Sequence, residues 1–154
     1  MREEIKKQYE KFKGNLALGQ VVCVHKNKYE IQNQSKKYVQ AVVSGRFRYH
    51  VIDASEYPVV GDYVVYRESD NEEDLCIIEH VLERYAELAR LHEWQGKKQL
   101  LAANMDKIFI CVSLNNDYNV TKIQNLLSLT YGSNAETIIL LTKNDLIENN
   151  EEIL

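Results

Sequence analysis

Two continuous apolar runs constrain the fold of this chain more than any other feature. The runs are KIFICVSL, residues 107–114, and ETIILLT, residues 136–142. Unbroken apolar runs are typical of parallel strands that are covered on both faces, because a strand with one solvated face alternates apolar and polar residues. Between the two runs, apolar residues recur at helical spacing. The pattern therefore predicts a strand–helix–strand unit with parallel strands and a right-handed connection.

Both ends of the helix in this unit are marked by its sequence. Asp117 or Asn119, in the turn NNDYN, can accept hydrogen bonds from the free amides of the first helical turn. Gly132, which follows Tyr131, suits the left-handed conformation that often ends a helix. Two parallel strands alone leave apolar edges uncovered, so further sheet is expected. Residues 104–154 are therefore predicted to be the start of an incomplete α/β domain.

The preceding residues consist of short β runs separated by turn residues. Five strands are predicted between residues 16 and 84: GQVVCVH, YEIQN, KKYVQAVVSG, VVGDYVVYR and LCIIEHVLER. Five strands are too few for a sandwich and indicate a small closed barrel, with a tight turn at Gly61–Asp62 forming one corner. The segment RFRYHVIDASEY, residues 46–57, is expected to be irregular.

Two flanking segments complete the predicted organisation. Residues 1–15 are polar and predict a leader helix, loosely attached through Tyr9 and Phe12 and ended by Gly14. Residues 85–103 lack strand texture and are interpreted as a connector, partly helical at most. The chain is thus divided into a leader helix (1–15), a barrel (16–84), a connector (85–103) and an α/β start (104–154).

Composition excludes several classes of protein. The chain is 45% hydrophobic and 27% charged, as is typical of soluble globular proteins, and no apolar stretch is long enough to span a membrane. Its N-terminus lacks the apolar core of a secretory signal, so a cytoplasmic protein is expected. Cys23, Cys76 and Cys111 lie in apolar runs and are interpreted as small buried residues. Neither they nor the four histidines have a spacing that supports zinc, so no metal site is expected.

A polar cluster follows the second apolar run: Thr142, Lys143, Asn144 and Asp145. In open α/β sheets, ligands bind outside the carboxyl ends of the strands. There, the Asp145 carboxylate can accept hydrogen bonds from N1–H and the exocyclic amine of guanine, a donor pair that adenine lacks. The aliphatic part of Lys143 can lie over the purine, and the Thr142 hydroxyl can tie this loop to a neighbouring loop. An ordinary loop after a strand is the alternative reading.

Five stretches of the chain resemble the N-terminal part of a known family. They are GQVVCVHKNKYEIQ (residues 19–32), AVVSGRFRY (41–49), YPVVGDYVVYR (57–67), LLAANMDKIFICVSLNNDYNVTKIQNLLSL (100–129) and ILLTKNDL (139–146). The family is the ribosome small subunit-dependent GTPase A family, the circularly permuted GTPases that act in 30S maturation. The matching stretches run in order along the chain, and only the leader helix falls outside them. The resemblance implies an OB-fold barrel followed by the first βαβ portion of a circularly permuted P-loop GTPase domain.

The resemblance also implies the ligands and partners. The full-length protein would bind GTP with Mg²⁺ through the guanine-specificity element Thr142–Asp145, and would contact the 30S subunit and its 16S rRNA as a monomer. Thr142 stands where the commoner element has Asn. The permuted order places the phosphate-binding loop and switches later, which explains why no Gly-x-x-x-x-Gly-Lys-Ser/Thr motif occurs here. Zinc is expected only in the family's C-terminal domain, which is absent here. No catalytic residue is expected in this chain, and the fragment alone should hydrolyse no GTP.

Basic residues of the barrel are the candidate rRNA contacts. They are Lys26, Lys28, Lys36, Lys37, Arg46 and Arg48. OB-folds bind nucleic acid through a basic face with aromatic platforms. In RFRY, strand alternation would place both arginines on one face and both aromatic residues in the core. A merely solvated barrel surface is the alternative.

Two other functions stay open on the residues alone. The chain can be a self-contained RNA-binding module in which the βαβ unit is a docking surface. A Rossmann fragment is disfavoured, because no glycine-rich turn follows KIFICVSL.

Overall fold

The computed structural model describes residues 2–12, 14–69, 71, 74–91, 98–114 and 118–146. The chain folds as two compact units, Met1–Asn104 and Met105–Leu154. Within the described residues, no helix has the length and apolar character needed to cross a membrane.

The first unit is built around a closed barrel. Its elements are α1 (Glu3–Glu10), β1 (Ala17–His25), β2 (Lys28–Asn33), β3 (Tyr38–Val43), α2 (Gly45–His50), a 3₁₀ helix (Ala54–Glu56), β4 (Tyr63–Arg67), β5 (Cys76–Val81), β6 (Glu87–Leu91) and β7 (Lys98–Ala103). Strands β1 to β5 close in the order β1-β2-β3-β5-β4. Neighbouring barrel strands are antiparallel except β3 and β5, which are parallel. This strand order is that of an OB-fold barrel, as predicted.

Inward-facing side chains of all five strands fill the barrel. The buried set is Val21, Tyr29, Ile31, Ala41, Val43, Val64, Tyr66, Cys76 and Ile78. Each fully buried large apolar side chain contributes roughly 1.5–3 kcal/mol of transfer free energy. Gly19 is required in β1 because a Cβ there would lie 2.3 Å from Ile31 Cγ2. Burial raises the pKa of Tyr66 to about 12.

Helix α1 is attached more firmly than the sequence predicts. Tyr9 and Phe12 do pack against the barrel, but Ile5 is the main anchor and is 1% exposed. Ile5 belongs to a second apolar cluster with Leu18, Val65 and Leu82. The helix ends at Glu10, before Gly14. A single isoleucine among charged residues gave too weak a periodic signal for this packing to be predicted.

The segment after β3 is helical at its start, so the expectation that residues 46–57 are irregular is wrong there. Ser44 caps α2 by accepting a hydrogen bond from Phe47 N at 3.0 Å. In a helix, Arg46 and Arg48 project about 200° apart around the axis, not on one face. Phe47 packs against the barrel core as predicted, whereas Tyr49 is 88% exposed and does not.

Strands β6 and β7 form an antiparallel hairpin where a connector without strands was expected. Their register runs from Glu87 opposite Ala103 to Leu91 opposite Lys98. A 2.6 Å ion pair joins Lys98 Nζ to Glu87 Oε2, and the hydrogen bond from Lys98 lowers the pKa of Glu87. The prediction failed because polar cross-strand pairs support this hairpin, and such pairs leave no clear apolar alternation in the sequence.

A buried ion pair holds the barrel corner together. Asp62 is fully buried, and its two carboxylate oxygens accept hydrogen bonds from Arg84 Nε at 2.7 Å and Nη2 at 2.8 Å. Val59 N also donates to Asp62, at 2.8 Å. The other donors of Arg84 reach the carbonyl oxygens of Ser55 at 2.8 Å and Tyr57 at 3.1 Å. One guanidinium group therefore connects the end of β5 to the segment that enters β4.

The same corner receives the end of β7. Gly61 has a φ of +94°, and a Cβ at this position would lie 1.9 Å from the carbonyl oxygen of Ala103. Ala103 N donates to Val60 O at 2.9 Å, and Asn104 Nδ2 donates to Gly61 O at 3.2 Å. Glycine is therefore required twice over at this turn, by its backbone conformation and by the close approach of β7.

The second unit contains β8 (Lys107–Ser113), α3 (Val120–Thr130), β9 (Glu136–Thr142) and a 3₁₀ helix (Asn144–Leu146). Strands β8 and β9 are parallel, and their register runs from Lys107 opposite Glu136 to Ser113 opposite Thr142. This order confirms the predicted strand–helix–strand unit.

The helix ends in this unit are as predicted. Asn119 caps α3 by accepting a hydrogen bond from Lys122 N at 3.2 Å, while Asp117, the alternative cap, lies outside the described residues. Gly132 has a φ of +80° directly after the C-cap residue Tyr131.

The two parallel strands are only partly covered by the described residues of their unit. Ile110 is buried, but Phe109 is 56% exposed and Leu141 is 54% exposed. The expectation that further sheet covers these side chains stays a prediction.

We expect Arg84→Met to destabilise the first unit by about 3–5 kcal/mol, because it leaves the Asp62 carboxylate buried without a counter-charge. Arg67→Met is the matched control: Arg67 also pairs with an acid, Glu79, but its side chain is 62% exposed. The control substitution should lower the free energy of unfolding by about 1 kcal/mol or less. Urea unfolding followed by circular dichroism measures both values. Equal stability of the two variants would contradict the structural role assigned to Arg84.

Candidate functional site

The polar cluster begins where the two parallel strands end. Thr142 is the last residue of β9 and lies opposite Ser113, the last residue of β8. Thr142 Oγ1 donates to Val112 O at 3.2 Å, and Leu114 N donates to Thr142 O at 2.9 Å. The hydroxyl thus ties the cluster to the neighbouring strand β8 and not to a neighbouring loop, which was the prediction from the sequence.

The backbone turns sharply after Thr142. Lys143 has a φ of 58°, the left-handed region that residues other than glycine adopt only rarely. The 3₁₀ helix Asn144–Leu146 follows directly. Lys143, Asn144 and Asp145 are all exposed. The four predicted residues therefore lie one after another at the carboxyl end of β9, and Asp145 is exposed to solvent.

A small cavity lies at the same end of this unit, between β8 and α3. Its volume is about 160 Å³, and its lining includes Val112, Ser113, Asn119, Lys122 and Leu126. The Ser113 hydroxyl is buried and has no hydrogen-bond partner among the described residues. The sequence prediction did not include Ser113, although a polar residue near the end of an apolar run is a recognisable signal.

The candidate RNA-binding lysines form two groups and not one patch. Lys26 lies in the β1–β2 turn and Lys28 begins β2, whereas Lys36 and Lys37 lie in the β2–β3 turn. The two pairs are separated by the length of β2, roughly 17 Å for five residue steps. All four side chains are exposed. Tyr38, which sequence reasoning missed, is 61% exposed directly after the second pair and offers an aromatic surface.

Arg46 and Arg48 project from α2, and both are exposed. Arg46 lines a cleft of about 590 Å³ in the first unit. Four acidic side chains also line the cleft: Glu56, Glu79, Glu83 and Glu87. This acidic lining opposes the binding of a phosphate group inside the cleft, so Arg46 is a weaker candidate contact than the lysines.

Comparison with known proteins relates this chain to one family. The family model described as RsgA GTPase matches residues 81–154. Over those residues, the chain is similar to the RsgA GTPase family. This confirms the family inferred from the sequence motifs.

Curated relatives of the RsgA family align along most of the chain. The protein RsgA 1 of Oceanobacillus iheyensis is 33% identical over 138 residues, which are 89% of this chain and 39% of that protein. RsgA 1 of Listeria monocytogenes is 31% identical over 140 residues, 91% of this chain and 38% of that protein. Both are named small ribosomal subunit biogenesis GTPases. The chain thus spans about two fifths of the length of these relatives.

Solved structures agree with the fold. YloQ, described as a circularly permuted GTPase, superposes with a TM-score of 0.64 at 25% identity, over 87% of this chain and 43% of YloQ. YjeQ from Thermotoga maritima superposes with a TM-score of 0.65 at 24% identity, over 87% of this chain and 44% of YjeQ. These likenesses support the predicted fold class.

Proposed function

We propose that this chain provides the barrel and the base-reading element of a GTPase that acts in maturation of the small ribosomal subunit. The observation that carries the proposal is the placement of Thr142–Asp145 at the carboxyl end of a parallel strand, with an exposed carboxylate. The names of the RsgA relatives support the same activity. A role in ribosome assembly implies a cytoplasmic location.

Base selection would rest on Asp145. Its carboxylate can accept the two parallel N–H bonds that guanine offers through N1 and its exocyclic amine. With adenine, the carboxylate would lose its water contacts without gaining a donor pair, and an unpaired polar group costs about 1–3 kcal/mol. Lys143 would cover the purine ring with its methylene chain while its ammonium group stays in water.

In this proposal, Thr142–Asp145 hold the base of GTP and not its phosphates. Phosphate binding and Mg²⁺ coordination in P-loop enzymes depend on loop amides, a lysine and a hydroxyl, and this sequence has no such motif. The Mg²⁺–GTP complex would therefore be held mainly by residues outside this chain.

The 154-residue chain on its own should hydrolyse no GTP, because the groups that position the phosphates are missing from its sequence. Phosphate release by the purified chain, compared with buffer and with heat-denatured chain, measures this. Turnover above both controls would contradict the prediction.

Asp145→Asn should change the base preference of the protein expressed from its whole gene. An amide presents one acceptor and one donor, which match the N1–H and C2 carbonyl of xanthine and no longer match guanine. We expect the affinity for GTP to fall about tenfold or more, which corresponds to a loss of about 1.4 kcal/mol or more of binding free energy. The affinity for xanthosine triphosphate should rise. Fluorescent nucleotide titration measures both affinities.

Asp74→Asn is the matched control, since Asp74 is an exposed aspartate in the first unit. It should leave both affinities unchanged. Unaltered discrimination between GTP and ATP in the Asp145→Asn protein would show that another residue reads the base.

We further propose that the barrel contacts 16S rRNA through its basic turns. The two lysine pairs at opposite ends of β2 can engage phosphates on separate stretches of backbone, and Tyr38 can stack with an unpaired base near Lys36 and Lys37. The support is the exposure of these side chains and the OB-fold barrel that carries them.

Changing Lys26, Lys28, Lys36 and Lys37 to Glu should weaken binding to the 30S subunit and flatten its salt dependence. Salt dependence is the slope of the logarithm of the binding constant against the logarithm of the salt concentration. Each lost phosphate contact should reduce the steepness of this slope by about 0.7–0.9. Testing the pairs Lys26/Lys28 and Lys36/Lys37 separately divides the effect between the two turns. Sedimentation binding assays at several salt concentrations provide the slopes.

Lys7 and Lys11, both exposed near α1, supply the matched control for a pair. Changing them to Glu alters the net charge equally and should have a smaller effect than either barrel pair. Unchanged subunit binding by the fourfold variant would place the RNA contacts elsewhere.

A self-contained RNA-binding module is the second candidate function, favoured by the closure of the barrel within Ala17–Val81. The gene sequence after Leu154 separates the two candidates. A phosphate-binding loop within about one domain length favours the GTPase. A stop codon directly after Leu154 favours the RNA module.

A further inference from the structure

We propose that Cys23, His25 and Glu30 form a binding site for a divalent transition-metal ion, with zinc as the best chemical match. Within the described part of the chain, the Cys23 Sγ, one His25 ring nitrogen and one Glu30 carboxylate oxygen lie within 4.8 Å of one another. The three residues lie on the first hairpin of the barrel, β1–β2. The inference does not rest on the proposed GTPase function.

The register of this hairpin brings the three side chains together. Cys23 lies opposite Glu30, and His25 is two residues further along β1. Directly opposite residues of an antiparallel pair share a face, as do residues two apart in one strand. Cys23 and Glu30 are half-buried and His25 is exposed, whereas Tyr29 and Ile31 on β2 face the core. The three ligands therefore converge on the outer face of the barrel.

A β-bulge places Cys23 on this face. Val21 lies opposite Ile31 in the core, and the register shifts between Val21 and Cys23. In a regular strand, Cys23 would share the inward face of Val21, because the two are separated by a single residue. The extra residue in the bulge turns Cys23 and His25 outward, as bulges do where a side chain must be redirected.

The donor set matches zinc in both chemistry and distance. Zinc prefers thiolate, imidazole and carboxylate ligands, at about 2.3, 2.0–2.1 and 2.0–2.2 Å respectively. Tetrahedral coordination with these lengths places ligand atoms roughly 3.5 Å apart, so side-chain rotations suffice to close the observed spacing. Ca²⁺ and Mg²⁺ are disfavoured because they require oxygen ligands. Three protein ligands leave a fourth position for water or an exogenous ligand.

The charges around the site are compatible with a dication. A bound thiolate and a carboxylate together neutralise two positive charges. Lys28 lies opposite His25 and is the basic residue on this part of the face, while Gln40 of β3 lies opposite Glu30 and is neutral. The positive charge of Lys28 would therefore lie beside a metal centre with no net charge. A bound metal would also fix the β1–β2 turn that carries Lys26.

Cobalt titration of the chain, kept reduced, tests the site directly. One equivalent of Co²⁺ should bind, give a thiolate-to-cobalt charge-transfer band with tetrahedral d–d bands, and be displaced by Zn²⁺. Cys23→Ser should abolish the charge-transfer band. His25→Ala and Glu30→Gln should each weaken Co²⁺ binding about tenfold or more, since even outer-shell changes around metals cost at least that much.

Cys111→Ser is the matched control, because Cys111 is an exposed cysteine in the second unit. It should leave the cobalt spectrum unchanged. Thermal unfolding gives an independent readout: Zn²⁺ should raise the melting temperature of the wild type and of Cys111→Ser, but not of Cys23→Ser. Circular dichroism confirms that each variant is folded. Absence of a charge-transfer band in the wild type, or its persistence in folded Cys23→Ser, would overturn the proposal.

Discussion

The buried carboxylate of Asp62 is the constraint on which the first unit depends. Burying a charge costs several kcal/mol unless its hydrogen-bonding capacity is satisfied. Both oxygens of Asp62 are used, by two nitrogens of Arg84 and by Val59 N. Burial lowers the pKa of Arg84, but the hydrogen bonds and charge of Asp62 outweigh this effect and raise it. The ion pair thus specifies one arrangement of the barrel corner, because other arrangements leave a charge buried alone.

Elements distant in sequence meet at this corner. Gly61 directly precedes Asp62, and its open backbone lets β7 approach at Ala103. Asn104 then donates to Gly61 O and accepts from Tyr85 N at 3.0 Å. The β6–β7 hairpin is therefore fixed to the barrel at its end, by the backbone of Ala103 and by the side chain of Asn104. Its own ion pair between Lys98 and Glu87 is partly exposed and contributes about 1 kcal/mol or less.

Features with local signals were predictable from the sequence, and features that depend on distant partners were not. The barrel strands, the cap at Asn119 and the left-handed Gly132 each have a recognisable local pattern. The burial of Ile5 depends on residues far away in the chain, Val65 and Leu82 among them. The β6–β7 pairing is local, but its sequence has no clear apolar alternation. The Cys23–His25–Glu30 cluster was missed because spacing along the sequence reveals neither the bulge after Val21 nor the register that places Glu30 opposite Cys23. Arg46 and Arg48 were misplaced because the Ser44 cap, which starts a helix, was read as the end of a strand.

The candidate site was predicted by its place at a strand end, but its geometry was not. The left-handed backbone of Lys143 and the bond from Thr142 to Val112 O are properties of the folded unit. The exposure of Asp145 limits what this element can contribute to binding. An exposed carboxylate exchanges water for guanine donors, so the net gain from each hydrogen bond is about 0.5–1.5 kcal/mol. Such a group favours guanine over adenine mainly through the penalty for the wrong base. In the proposed GTPase, the affinity for GTP would therefore come largely from the phosphates, and Thr142–Asp145 would supply the selectivity for the base.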